Sequence, residues 1–101
     1  MGYKITNYTR QQAKKLGVIV KPSTNPVKKI DVFKEVRGEM KKVASVGAIG
    51  YNDYPTYMRL EKEGKVEKGT AKDRRKNYKI RHQNNRNKKG TNGWYADKLL
   101  W

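Results

Sequence analysis

The chain contains no cysteine and only one histidine among its 101 residues. Disulfide bridges, thiolate zinc sites and cysteine nucleophiles are therefore excluded. The histidine, His82, stands among lysines and arginines, and no pair of carboxylates has an evident catalytic partner. A phosphate-binding loop motif is absent as well. We therefore expect a protein that is not an enzyme, with no cofactor, no metal site and no small-molecule substrate.

Apolar sequence is also scarce. Hydrophobic residues make up 35% of the chain, below the usual share of about 45–50% in globular proteins. No segment approaches the roughly 18 apolar residues that a membrane-spanning helix requires, and the N-terminal stretch lacks the apolar region of a secretory signal. The sequence predicts a small domain with a modest core, no transmembrane segment and no secretion.

Positive charge is abundant instead. The chain has 25 basic and 9 acidic residues, for a net charge of +16. Such an imbalance destabilises a compact state through self-repulsion. It predicts a polyanionic counterpart, which is nucleic acid, an acidic protein surface or an anionic membrane.

Local patterns predict an α+β fold whose first part, residues 1–64, is a small core. Thr9 and Gln12 have the spacing of a capping box, so we expect a helix over about residues 8–16 that ends at Gly17. The stretch "GVIVKPS" then predicts a short strand. A β-hairpin follows, with "VRGE" as its turn and with Gly47 and Gly50 breaking its second strand. Its two strands are marked by Ile30, Val32 and Phe33, and by Val43, Ala44 and Val46.

Helices are predicted for the remainder of the chain. Pro55 suits the first turn of a helix that runs to about Glu63 and ends at Gly64. One face of this helix carries Tyr54, Tyr57, Met58 and Leu60 or Glu61, at the spacing of a buried face. Residues 65–101 are predicted to form a basic helix capped by Thr70, a polar loop and an aromatic C-terminal anchor, packed with the first part as one domain.

The basic helix is the strongest functional signal. Residues 72–89 contain nine basic side chains and one acid, Asp73, which suits the helix dipole. A helix that is charged all round is poorly buried in its own domain, and lysine and arginine suit phosphate groups. The alternative is a solvated helix, or one docked on an acidic protein. The predicted polyanion-binding residues are Lys72, Arg74, Arg75, Lys76, Lys79, Arg81, Arg86, Lys88 and Lys89.

Aromatic residues form a second candidate group. The C-terminal segment either packs back onto the small core or inserts into a partner, since aromatic side chains are frequent interface anchors. Tyr54 and Tyr57 are expected in the core or an interface, and Tyr51 is expected to be an exposed contact residue. The predicted partner-anchor residues are Tyr51, Trp94, Tyr95, Leu99, Leu100 and Trp101.

A resemblance that covers most of the chain is carried by the segments "ITNYTRQQAKKLGVIVKPS", "KKIDVF", "KKVASVGAIGYNDYPTYM", "DRRKNYKIRH" and "GWYADKLLW". With them the chain resembles a family of small basic proteins of unknown function encoded by large double-stranded DNA viruses, including algal and giant viruses. The resemblance implies a viral context and supplies no catalytic residues.

Two functional hypotheses follow. In the first, the chain is a minor capsid or inner-shell protein, located in the virion, that acts as electrostatic and apolar cement between capsid or other virion proteins with acidic surfaces. In the alternative, it binds DNA without sequence specificity and associates with the viral genome. DNA binding requires one open basic face, whereas cement predicts basic residues distributed over several protein contacts.

Overall fold

The computed structural model describes residues 3–84 and 86–101, so Asn85, in the predicted polar loop, lies outside the described residues. The predicted α+β fold is confirmed. A short N-terminal helix precedes a three-stranded antiparallel sheet, and three helices follow the sheet. The helices are α1 (Asn7–Leu16), α2 (Tyr54–Lys62), α3 (Thr70–Arg81) and α4 (Asn92–Leu100), and the strands are β1 (Ile19–Pro22), β2 (Lys28–Val36) and β3 (Glu39–Ala48).

Helix α1 begins one turn earlier than the predicted capping box. Its N-cap is Thr6, whose hydroxyl oxygen accepts a hydrogen bond from the Thr9 amide at 3.3 Å. The prediction that Thr9 caps the helix is wrong because Thr9 is fully buried and its hydroxyl donates to the Leu99 carbonyl oxygen at 2.8 Å. Gly17 ends the helix as predicted, in the left-handed conformation with φ of 72°.

The predicted hairpin is confirmed. Strands β2 and β3 pair in antiparallel orientation around a tight turn in which Arg37 and Gly38 have φ of 53° and 81°, the backbone that two-residue hairpin turns favour. The sheet order is β1-β2-β3. Because β1 pairs with β2 only as far as Phe33, the hairpin continues beyond the sheet as a two-stranded ribbon, residues 34–43, in which every residue is exposed.

Gly47 does not break the second strand, contrary to the prediction. It lies within β3 with φ of 82°, and a Cβ atom built on it would come within 2.8 Å of Leu100 Cδ1 and 2.9 Å of Lys29 Cδ. Glycine is therefore needed here for two reasons, a left-handed backbone and the close approach of α4 to the sheet.

The core lies between the sheet, α1 and α4. Its fully buried apolar side chains come from both the strands and the last helix, so the C-terminal segment completes the core that the N-terminal segment begins. The most deeply buried of these residues are Ile30, Val32, Val46, Leu99 and Leu100.

Helices α2 and α3 lie outside this core and contribute only Pro55 and Ala71 to the buried residues. Asp53 caps α2 through the Thr56 amide. Pro55 occupies the first turn of α2 as predicted, and Gly64 follows the helix end in the left-handed conformation.

The predicted cap of α3 needs correction. Thr70 is the first residue of the helix, and its hydroxyl donates to the Glu67 carbonyl oxygen at 2.7 Å. The Glu61 carboxylate of α2 instead accepts a hydrogen bond from the Ala71 amide at 2.6 Å. A side chain of one helix thus caps the next, which ties α2 to α3.

Candidate functional site

The basic helix α3 is almost wholly exposed to solvent. Ala71 is its only buried residue, and Thr70, Tyr78 and Lys79 are half-buried. The polar character of the helix explains this, because its charges would lose their hydration in a core. The predicted residues that α3 exposes are Lys72, Arg74, Arg75, Lys76 and Arg81.

One side of α3 lines a groove with a volume of about 630 Å³, which we call the basic groove. Among the described residues of its lining, Asp73 is the only acidic one and Ile80, which is 56% exposed, is the apolar one. The basic groove therefore collects positive charge on one continuous surface. Its basic residues are Lys72, Arg75, Lys76, Lys79 and Arg86.

Two of these residues also hold the structure together. The Lys79 ammonium group pairs with the carboxylate of Asp97, which is 1% exposed. The Arg86 guanidinium Nε donates to the Lys79 carbonyl oxygen at 3.0 Å. Without Lys79, the buried Asp97 carboxylate would keep only the longer contact to Lys98, at 4.0 Å. Because weakening a buried ion pair is costly, Lys79 positions α3 against α4 as well as lining the groove.

The other side of α3 faces a cleft of about 790 Å³, which we call the aromatic cleft. The Trp101 ring stacks on Tyr78 with centroids 4.4 Å apart and planes within 7°, and Tyr78 in turn lies 4.3 Å from the His82 ring. Arg74 and Arg81 line the same cleft. Burial, followed by the negative charge of Asp97, raises the pKa of Tyr78 to about 12, so its hydroxyl stays protonated at neutral pH.

The floor of the aromatic cleft is an ion pair that the sequence patterns did not single out. The Lys29 ammonium donates to Asp53 Oδ2 at 2.9 Å, and both side chains are buried. The Tyr3 hydroxyl donates to the same oxygen at 2.7 Å, and burial and then the charge of Asp53 raise the pKa of Tyr3. The N-cap position of Asp53, just before "YP", is the signal that could have identified it.

Tyrosines of α2 orient two arginines of α3. The Arg75 guanidinium lies 4.7 Å from the centroid of the Tyr54 ring, and Arg74 lies 5.7 Å from that of Tyr57. Both tyrosines are half-buried. Cation–π contacts of this kind hold the guanidinium groups near the surface without neutralising them.

The remaining predicted polyanion-binding residues lie after the C-terminal end of α3. Lys88 and Lys89 are exposed in the turns before α4. Lys88 lines a separate, smaller cleft with Lys28 and Thr91. The structure thus brings five of the nine predicted residues into the basic groove, places Arg74 and Arg81 in the aromatic cleft, and places Lys88 and Lys89 in neither.

The predicted partner-anchor residues divide into two groups. Tyr51 is 75% exposed, and Trp94 and Trp101 are half-buried. The chain's own core buries Tyr95, Leu99 and Leu100. This agrees with the interpretation that the C-terminal segment packs back onto the small core. These three side chains are therefore withdrawn from the surface that a partner could contact.

Comparisons with protein-family models, with curated proteins and with solved structures give no match to this chain. None of the helices within residues 3–84 and 86–101 combines the length and the apolar character needed to cross a bilayer. The same described residues contain no group of three or more histidine, aspartate or glutamate side chains that could hold a metal ion. The basic groove and the aromatic cleft, on two sides of α3, are the candidate functional surfaces.

Proposed function

We propose that this chain binds nucleic acid without sequence specificity and that the basic groove is its phosphate-binding surface. The observation that carries the proposal is the gathering of five basic side chains, with Asp73 as the one acidic side chain, in a single groove along an exposed helix. A continuous surface of one sign suits the regularly spaced charges of a phosphate backbone.

The distribution of charge favours this function over that of cement. Cement predicts basic residues distributed over several protein contacts, whereas α3 and the turn after it present them side by side. Lys72 and Lys76 lie one helical turn apart, so their ammonium groups project from the same face. Repeated phosphates along a strand can contact both at once.

The chemistry of the groove explains the expected lack of specificity. Lysine ammonium groups are point charges, and contacts to phosphate orient a protein without reading the bases. Binding would displace condensed counterions, so its free energy would depend strongly on salt. Ile80 adds an apolar contact of the kind that sugar carbons can make.

Affinity for a random 20-base-pair duplex, measured by fluorescence anisotropy at low salt, tests the proposal. The variant K72Q/R75Q/K76Q removes three charges from the groove and keeps Lys79, which pairs with Asp97. The matched control R10Q/K14Q/K15Q removes three exposed charges from α1. We expect the groove variant to lose at least tenfold in affinity and the control to lose less than threefold. Equal losses in the two variants would contradict the proposal.

A structural role in a virion is the second candidate, and the hairpin ribbon favours it. The ribbon exposes three apolar side chains, Val36 and Met40 near its turn and Val43 at its base, on a two-stranded segment that is marginally stable alone. A partner that covers this ribbon would stabilise it. The resemblance to proteins of large DNA viruses is the ground for proposing a capsid or inner-shell partner. For this role we expect the chain to be retained in nuclease-treated, DNA-free shells. We expect the V36S/M40S variant to be lost from them.

A further inference from the structure

The aromatic cleft differs from the basic groove in chemistry, although both border α3. We propose that the aromatic cleft accepts unpaired bases of a single-stranded nucleic acid, with Arg74 and Arg81 contacting the phosphates beside them. This inference rests on the proposed function and adds to it the form of nucleic acid that the chain prefers.

The aromatic rings of the cleft contact one another. Trp101 stacks on Tyr78 with centroids 4.4 Å apart and planes within 7°, and His82 lies 4.3 Å from Tyr78 at a tilt of 31°. These contacts hold the rings in place before a ligand arrives. A base that stacks against this ring group would meet side chains that are already ordered, so little ordering of side chains would oppose binding.

Tyr51 supplies an exposed ring to the cleft. It is 75% exposed and is among the residues that line the aromatic cleft. A large aromatic side chain this exposed has a free face on which a base can stack. Stacking on protein aromatic side chains is the common means of holding unpaired bases, and it tolerates any sequence because every base has a π-face.

The charge of the aromatic cleft supports the inference as well. Among the described residues that line the aromatic cleft, Asp53 is the only acidic side chain, and its partner Lys29 offsets it at 2.9 Å. Arg74 and Arg81 therefore give the cleft a positive charge, which suits phosphates. Asn52 and Asn77 also line the cleft, and their amides can donate and accept hydrogen bonds at base edges.

Size and shape complete the argument. A volume of about 790 Å³ falls within the range of about 300–1,000 Å³ that is usual for small-ligand pockets. A duplex keeps its bases stacked inside the helix, and unstacking them costs free energy. The cleft should therefore contact the bases of a single strand and only the outside of a duplex.

The fluorescence of Trp101 provides a direct probe. In a Trp94→Phe background, Trp101 is the only tryptophan. Titration with 20-residue oligo(dT) and oligo(rU) should quench its emission, whereas a 20-base-pair duplex at equal occupancy should leave it nearly unchanged. Quenching by duplex and single strand to the same extent would overturn the inference.

Paired variants then separate the two surfaces. R74Q/R81Q and K72Q/K76Q each remove two exposed charges from α3, one pair from the aromatic cleft and the other from the basic groove. We expect R74Q/R81Q to lower single-strand affinity at least fivefold more than duplex affinity. Tyr51→Ala, at an exposed position, should lower single-strand affinity about tenfold, the loss typical of one stacked base, with no change in thermal unfolding.

The outcomes distinguish the inference from the proposed function. If both charge variants reduce single-strand and duplex affinity by the same factor, and Tyr51→Ala changes neither, the inference is overturned while nucleic-acid binding through the basic groove stands. If the unmodified chain binds neither form at low salt, both are overturned. If duplex binding is absent but oligo(dT) quenches Trp101, the inference stands and the groove proposal fails.

Discussion

The sheet, α1 and α4 pack apolar side chains against one another, whereas α2 and α3 contact each other through rings, guanidinium groups and a carboxylate. The first region contains the fully buried Ile30, Val32 and Leu99. The second buries only Pro55 and Ala71, and its helix α3 contains six of the nine basic residues of the segment 72–89. The region that stabilises the fold and the region that we propose to bind nucleic acid are thus largely separate in one small chain.

This separation has a physical reason. A charged helix cannot enter an apolar core without losing its hydration, so it needs only a few contacts to fix its position. The Glu61–Ala71 hydrogen bond, the Lys79–Asp97 pair and the Tyr78–Trp101 stack supply them. The exposed side chains of α3 remain available for a ligand.

Removing a core side chain should give the largest effect on stability. Leu99→Ala truncates a residue that is 0% exposed, so we expect it to lower the free energy of unfolding by about 2–5 kcal/mol. Leu60→Ala makes the same change on the half-buried face of α2 and should cost less than about 1.5 kcal/mol. Urea unfolding followed by circular dichroism measures both, and equal losses would contradict the comparison.

Adding one methyl group at Gly47 should come next. Gly47→Ala combines left-handed backbone strain with contacts of 2.8 and 2.9 Å to Leu100 and Lys29, for a loss of about 2–4 kcal/mol. Gly64→Ala, after α2, has φ of 74° and no atom within 4 Å. It should lose only the strain contribution, about 1–2 kcal/mol. The difference between the losses of the two variants measures the cost of the close contacts at Gly47. Equal losses would show that α4 can move away from the sheet to make room for the methyl group.

A smaller loss is expected where α1 meets α4. Thr9→Val keeps the shape of a fully buried side chain but removes the hydrogen bond to the Leu99 carbonyl oxygen. We expect Thr9→Val to lower the free energy of unfolding by about 1–2 kcal/mol, as measured by thermal unfolding. Thr9→Ser, which retains the hydroxyl, is the matched variant and should recover part of the loss. A Thr9→Val variant as stable as the unmodified chain would contradict this prediction, because it would mean that the Leu99 carbonyl finds another donor.

Acid should act on the sheet region through Asp31. Burial would raise the pKa of this carboxyl, but hydrogen bonds from the Ser23 and Ser45 hydroxyls and the Thr24 amide bring the pKa below the ordinary 3.8. A depressed folded-state pKa contributes stability above about pH 4, and that contribution is lost as pH falls through the folded pKa. Asp31→Asn should therefore reduce the loss of stability on acidification below pH 4.

Unfolding free energies between pH 2.5 and 6 measure this effect. A steeper loss in Asp31→Asn than in the unmodified chain would contradict the prediction.

Local chemistry explains which elements could be predicted from sequence. Turn and cap residues act over a few positions, so the hairpin turn at Gly38 and the helix ends at Gly17 and Gly64 follow from their neighbours alone. Thr9 has the capping-box spacing with Gln12 in sequence, and only its packing against α4 leaves Thr6 as the cap. The role of Gly47 likewise depends on Leu100, which is distant along the chain.

The same distinction holds for the candidate site. The basic groove comes from one continuous segment, so its charge count predicts it. The aromatic cleft joins Tyr57, Tyr78 and Trp101 from three separate elements with the buried Lys29–Asp53 pair. No local spacing relates these residues, and the tertiary fold alone brings them together.

The salt dependence of duplex binding tests the central claim most directly. Each phosphate contact contributes about −0.9 to the slope of log Kobs against log salt concentration. K72Q/R75Q/K76Q should therefore make the slope shallower by about 2–3, whereas R10Q/K14Q/K15Q should leave it nearly unchanged, with both variants within about 1 kcal/mol of the unmodified chain in unfolding free energy. Slopes that fall equally in the two variants would show that binding follows net charge, and would contradict the assignment of the basic groove.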